Sequence, residues 1–261
     1  MILIDTHTHL YEEQFDADRT AMIERAIAEN VSKMIIPNVD STTIRPMLDL
    51  VKQFPENIFS MIGVHPCYVK PATYKQELET VRKYLFNEEK ESSNSFVAVG
   101  EIGIDLHWDK STLEIQKEAF ELQCDWAIEK NLPVAIHARE STHVLIDILK
   151  KRKRNPDGVF HCFTGSFEEA TEIIKLGFYL GIGGVVTYKN THLRETLKKL
   201  PIDKIVLETD APYLPPVPFR GKRNESAYTK LVAETLCTVY EKGFDEIATI
   251  TSKNASHLFG I

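Results

Sequence analysis

Ile2-Leu-Ile-Asp-Thr-His-Thr-His9 is a short apolar run that breaks into a polar tail carrying two histidines. A doubly wound nucleotide-binding sheet would instead carry a glycine-rich turn after its first strand. The same design recurs along the chain, with apolar runs at Ile2–Asp5, Lys33–Asn38, Ile58–Val64, Phe96–Glu101, Pro133–His137, Gly158–His161, Phe178–Gly183 and Lys204–Glu208. Each is rich in Val, Ile or Phe, the composition of strands buried on both faces. Amphipathic stretches lie between them. Met22, Ile23, Ala26 and Ile27 share one helical face after the first run, as do Leu113, Phe120, Cys124 and Ala127 after the fourth. Strand–helix alternation implies parallel strands with right-handed crossovers. Eight such units in 261 residues predict an α/β chain folded as one (β/α)8 TIM barrel, a single domain over residues 1–261.

Composition narrows the class. Hydrophobic residues make up 43% and charged residues 26%, which excludes collagen-like, disordered and disulfide-scaffold chains. No apolar run approaches the ~20 residues of a bilayer span. Four scattered cysteines (Cys67, Cys124, Cys162 and Cys237) without a signal-peptide pattern are expected to be reduced thiols in a cytoplasmic protein. The net charge of −7 argues against coating nucleic acid through overall charge, though not against a local basic patch. Glu88–Ser95 is polar and turn-rich and is expected to be an exposed connection.

Active sites of this barrel lie at the C-terminal ends of the strands. There the sequence places His7 and His9, His65, Glu101, His137, His161, and finally Glu208 and Asp210. Five of the nine histidines therefore end predicted strands, an unexpected gathering for scattered core residues. Strand side chains alternate with period two, so His7 and His9 should face the same way and share one ion. A pair of polar strand-end residues satisfied by water is the plain alternative. A histidine ending a buried strand is costly unless its nitrogens find partners, either a metal or an ordinary hydrogen bond. Four histidines, Glu101 and Asp210 supply enough ligands for two metals. Imidazole suits Zn, Ni or Fe, and carboxylate suits Mg or Mn.

The segments Asp5-Thr-His-Thr-His-Leu, Gly63-Val-His-Pro, Gly100-Glu-Ile-Gly-Ile-Asp, His137-Ala-Arg, His161-Cys-Phe-Thr-Gly-Ser, Glu208-Thr-Asp-Ala-Pro-Tyr-Leu and Arg220-Gly-Lys-Arg-Asn-Glu run in order from residue 5 to 225. In them the chain resembles the TatD family of metal-dependent deoxyribonucleases, within the amidohydrolase-like barrels. The resemblance implies two divalent ions (Zn, Mg or Mn) in a phosphodiester hydrolase. His7 and His9 would hold one ion, Glu101 would bridge, His137 and His161 would complete the second set, and Asp210 would hold the first ion and the attacking water. Leu106-His107, Glu140-Ser141 and Ser226 depart from the family pattern beside this set and bear on substrate preference.

The loop after the last strand, Ala211–Asn224, carries four of the twelve prolines and ends in Arg220, Lys222 and Arg223. Guanidinium forks suit phosphate oxygens, which makes Arg220 and Arg223 candidate substrate ligands beside His65 and Arg139. A solvated basic turn, or pairing with Glu225, is the alternative. Glu208 is expected to orient a ligand histidine, or else to form a buried ion pair. Trp108 could stack a base or simply pack. The basic run Lys150–Arg154 ends a predicted helix, where cations complement the dipole. The expected substrate is DNA, trimmed at single-stranded ends, with no membrane and no obligate protein partner. The rival activity is hydrolysis of an ester or amide, including the ester of an aminoacyl-tRNA. A non-catalytic binding barrel is the third possibility.

Overall fold

Seven parallel strand pairings join eight strands in sequence order in the computed structural model, which describes residues 2–88 and 95–261. The strands are β1 (Leu3–Asp5), β2 (Val31–Pro37), β3 (Ile58–Ile62), β4 (Phe96–Asp105), β5 (Val134–Arg139), β6 (Gly158–Phe160), β7 (Tyr179–Ile182) and β8 (Ile205–Leu207). Backbone hydrogen bonds from Thr6 to Leu207 (2.9 Å), from Asp210 to His7 (2.9 Å) and from His9 to Ala211 (2.7 Å) bring the last strand back to the first. The result is a single-domain (β/α)8 barrel. Its helices are α1 (Arg19–Ala28), α2 (Ser41–Gln53), α3 (Tyr74–Leu85), α4 (Leu113–Lys130), α5 (Thr142–Lys151), α6 (Phe167–Lys175), α7 (Leu193–Leu197), α8 (Thr229–Tyr240) and α9 (Phe244–Phe259). Most of the expected Glu88–Ser95 connection, residues 89–94, lies outside the described residues.

Period-two alternation sorts the strand residues into two cores. Ile4, Ile35, Met61, Ala98, Ala135, Val159 and Val206 point inward, and Leu258 and Phe259 of α9 close that inner cluster. Their neighbours Leu3, Ile36, Ile62, Val99, Ile136, Phe160 and Leu207 point outward under the helices. The outward layer receives Met22, Ile23 and Ala26 of α1 and Phe120, Cys124 and Ala127 of α4, as their spacing predicts. Ile27 is the exception, 37% exposed at the helix margin. The basic run past α5 behaves structurally, with Lys150 on Glu172 (2.7 Å) and Arg152 on Asp125 (2.5 Å).

β4 is longer than its apolar run suggests, so Glu101 stands inside the strand rather than at its end. Its register against β5 jumps between Val99 and Ile102. Strict alternation from the inward Ala98 would turn Glu101 outward; the irregularity reverses the parity and sends Ile102 to the outer core instead. Gly103, at φ +146°, is required immediately after, because a Cβ there would run into the His137 carbonyl. Gly103→Ala is expected to destabilise the protein by ~3 kcal/mol or more, read as a lower urea midpoint at unchanged slope.

Candidate active site

The residues collected at the C-terminal ends of the strands converge on Glu101, which is 2% exposed. Its two carboxylate oxygens face different imidazoles. Oε2 lies 3.2 Å from His7 Nε2 and 3.7 Å from His9 Nε2. Oε1 lies 2.7 Å from His161 Nε2, 2.9 Å from His137 Nδ1 and 3.4 Å from His65 Nε2. Asp210 Oδ1 joins from the β8 side, 3.4 Å from His9 and 3.9 Å from His7. Burial by itself would raise the Glu101 carboxyl, but the surrounding imidazoles outweigh it and hold the group well below the usual carboxylate range. Burial likewise opposes the Asp210 charge, and hydrogen bonding with His9 prevails to keep that group low.

His7 shows most directly what this cluster can bind. It is 1% exposed, and its two ring nitrogens have no hydrogen-bond partner among the described residues. Burial, reinforced by the charge of His161, lowers it to about 4, so the ring is neutral near pH 7. It stacks on His161 at 3.9 Å between centroids, an arrangement that two protonated rings would resist. A buried neutral imidazole with its one lone pair free beside an ionised carboxylate suits a divalent cation. Atoms of His7, His9 and Glu101, and of His7, His161 and Asp210, lie close enough together to hold one.

Hydrogen bonds decide which nitrogens are free. His137 Nε2 donates to Asp105 Oδ2 at 2.9 Å, which holds a proton there, so Nδ1, 2.9 Å from Glu101 Oε1 and 3.3 Å from His161 Nε2, is the nitrogen that a cation would take. Opposed by burial, the hydrogen bonds to Asp105 and Glu101 raise His137 to about 9. His65 is the reverse case. Its Nδ1 accepts the Cys67 backbone N–H at 3.1 Å, so the proton sits on Nε2 and points into the site. His65 is therefore a donor, although its position alone would admit it as a ligand. His9 Nδ1 contacts the Tyr11 hydroxyl at 3.2 Å.

His7 and His9 lie just past β1, which ends at Asp5. Their common direction comes from the backbone bonds to β8 and from Thr8 N–H on the Ile35 carbonyl (3.1 Å), rather than from strand alternation. Asp5 locks the same junction, accepting from Thr209 N–H (2.9 Å) and Oγ1 (2.6 Å); burial pushes it up to about 7. Glu208 is wholly buried, and its carboxyl is driven well above the usual range by burial and by the Asp210 charge. It accepts the Cys162 N–H at 2.5 Å but stands 3.8 Å from His161 Nδ1, beyond hydrogen-bonding distance. Cys162 and Asp210 hold φ of +49° and +56°, conformations costly for residues with side chains.

A family model described as "TatD related DNase" matches residues 4–260. The chain belongs to this TatD family. Its relatives include YabD of Bacillus subtilis, an uncharacterised metal-dependent hydrolase, 43% identical with both chains fully covered. YcfH of Escherichia coli, described in the same words, is 32% identical over all of this chain and 97% of its own. The crystal structure of YjjV, a TatD homologue from Escherichia coli K12, superposes with a TM-score of 0.89 at 31% identity, covering 99% of this chain and 98% of that one. The protein is thus a metal-dependent hydrolase of the TatD family.

Around this TatD site lies a cavity of about 720 Å³, lined by His9, His65, Glu101, His137, Arg139, His161 and Asp210 among others. Arg139 is exposed there, 5.4 Å over the Trp108 ring. Arg220 and Arg223 are not among its lining residues. Arg220 stacks 3.9 Å above Tyr188. Arg223 grips Asp18 with both Nη atoms (2.7 and 2.9 Å), a bond that, with Arg25, holds Asp18 well below the usual carboxylate range. Glu225 pairs mainly with Arg25, at 2.7 Å. Arg223 thus fastens the proline-rich loop to the start of α1, while Asn224 pins it from within through Thr209 O and Tyr213 O.

Asp105 is the residue that strand-end reading overlooks. It shares a face with Glu101 at a spacing of four, and that period-two signal in Glu101-Ile-Gly-Ile-Asp105 could have found it. Asp105→Asn is expected to weaken metal binding about 10- to 100-fold in a chelator competition, with the fold intact by circular dichroism. Asp18→Ala and Arg223→Ala should each alter substrate KM to the same extent, with a coupling of about 1 kcal/mol or less in a double-mutant stability cycle.

Proposed function

We propose that this TatD-family hydrolase cleaves phosphodiester bonds of DNA as an exodeoxyribonuclease on single-stranded ends, using two divalent cations (Zn, Mg or Mn). The observation that supports it is the division of Glu101, one oxygen toward His7 and His9 and the other toward His137 and His161. In this reading His7, His9, Asp210 and Glu101 hold one ion, and Glu101, His137 and His161 hold the other. Bound there, the pair would lower the pKa of water and offset charge on the phosphate.

The remaining work falls to the chain's own groups. Asp210, kept ionised at the cavity wall, takes the proton from the attacking water. His65 Nε2–H and the Arg139 guanidinium hold the non-bridging phosphate oxygens. Asp105 keeps His137 in one tautomer, and Tyr11 steadies His9. Arg220 contributes positive charge at the rim, and Arg223 acts through the loop it anchors. The rival reading, an ester or amide hydrolase such as an aminoacyl-tRNA deacylase, draws support from a cavity wall that contains one arginine and no lysine among the described residues.

End-labelled single-stranded DNA, incubated with metal-stripped protein restored with Mg, Mn or Zn, should give a ladder that Glu101→Ala abolishes. Asp210→Asn, assayed after its metal has been fully restored, should lose about 10²–10⁴-fold in kcat. Full activity in that variant would sink its role as base. No cleavage with any ion, despite bound metal, would shift the reading to esters and amides.

A further inference from the structure

The cavity over Glu101 is electrostatically lopsided. In an eight-stranded ring β1 and β5 stand on opposite sides. On the β1 side Glu12 lines the cavity with Tyr68 and Tyr213, which are 41% and 45% exposed. Besides burial, the charges of Asp40 and Glu12 push the Tyr68 phenol up, and that of Glu12 pushes Tyr213 up to about 12. The Glu12 carboxylate makes no ion pair or side-chain hydrogen bond among the described residues. Its backbone is nonetheless fixed: Arg19 donates to the carbonyls of Leu10, Tyr11 and Glu12 at 2.8, 2.9 and 3.0 Å. The anchored backbone keeps the Glu12 side chain at the cavity wall, and its carboxylate lone pairs are available to whatever enters.

The β5 side is cationic. Arg139 lies over the exposed Trp108, and a second cavity of about 380 Å³ continues past Arg139 between Thr142 and Thr164. The carboxylates on that side have partners: Asp105 contacts His137 at 2.9 Å, and Glu140 contacts His107 at 2.7 Å and Lys110 at 3.7 Å. Exposed rings on both sides suit stacking of unpaired bases. A free carboxylate repels a phosphate but accepts a hydrogen bond from a hydroxyl. A strand running through both sides would press a phosphate against Glu12, whereas a strand ending there would not.

We propose that Glu12, Tyr68 and Tyr213 form a terminal-nucleoside subsite that accepts a strand end carrying a free hydroxyl and rejects one carrying a terminal phosphate, while the continuing strand leaves over Trp108 and Arg139. This rests on the nuclease reading of the same site. It makes Glu12 a specificity determinant, which gauges the end by charge and takes no part in bond cleavage.

The test uses four versions of one single-stranded oligonucleotide, with hydroxyl or phosphate at the 3′ end and likewise at the 5′ end. Initial rates are compared in the supporting metal for the wild type, Glu12→Gln and the exposed neighbour Glu13→Gln. At the end that is trimmed, wild type and Glu13→Gln should favour hydroxyl over phosphate by about tenfold or more, chiefly through KM, and Glu12→Gln should bring the ratio near unity. Equal wild-type rates on both kinds of end, with DNA still cleaved, would overturn the subsite and leave the nuclease reading standing. Discrimination that persists in Glu12→Gln would overturn the assignment to Glu12. Absence of cleavage on all four strands would overturn the nuclease reading and the subsite with it.

Discussion

An ionised carboxylate at the mouth of an apolar barrel is the constraint around which the rest of this protein is arranged. Glu101 is nearly inaccessible to water, so its charge must be balanced by what the protein places around it. Five imidazoles approach its two oxygens, yet they cannot all be protonated, since His7 and His161 stack face to face. A divalent cation resolves both difficulties, supplying charge to the carboxylate and taking the free lone pair of His7. The metal dependence of the family thus has a local physical cause in this chain.

Holding that arrangement requires departures from regular structure. The parity reversal in β4 turns Glu101 inward, and Gly103 lets β5 lie close enough for His137 to meet it. The left-handed backbone at Cys162 and Asp210 re-aims the ends of β6 and β8. Backbone bonds from β8 to the segment after β1 orient His7 and His9. The helices and the two cores supply the stability against which these local costs are set.

The mouth is organised by a different principle, the pairing of charges from distant parts of the chain. Arg223 and Asp18 are 205 residues apart in sequence and form a two-pronged bond that ties the proline-rich loop to α1. That pairing engages the Arg223 guanidinium within the protein. Arg139 stays exposed over the cavity and Glu12, without an ion pair among the described residues, lines its opposite wall, so the two sides present opposite charge to whatever enters.

The sequence by itself determined the barrel, because eight short runs buried on both faces and separated by amphipathic stretches have few other ways to bury their apolar surface. It also located the chemistry, since ligating residue types recur where such strands emerge. Asp105 was legible in the spacing of four from Glu101 but lies past the end of the apolar run, where strand reading stops. What only the tertiary structure decided is which atoms meet. The inward turn of Glu101 depends on a register break that no alternation rule announces. The roles of His65 and His137 depend on which nitrogen a neighbouring N–H or carboxylate already occupies. Whether an arginine is free for substrate depends on a partner two hundred residues away. Periodicity is a local property and can be read along a chain, whereas the pairing of charges and lone pairs depends on distances that exist only once the chain has folded.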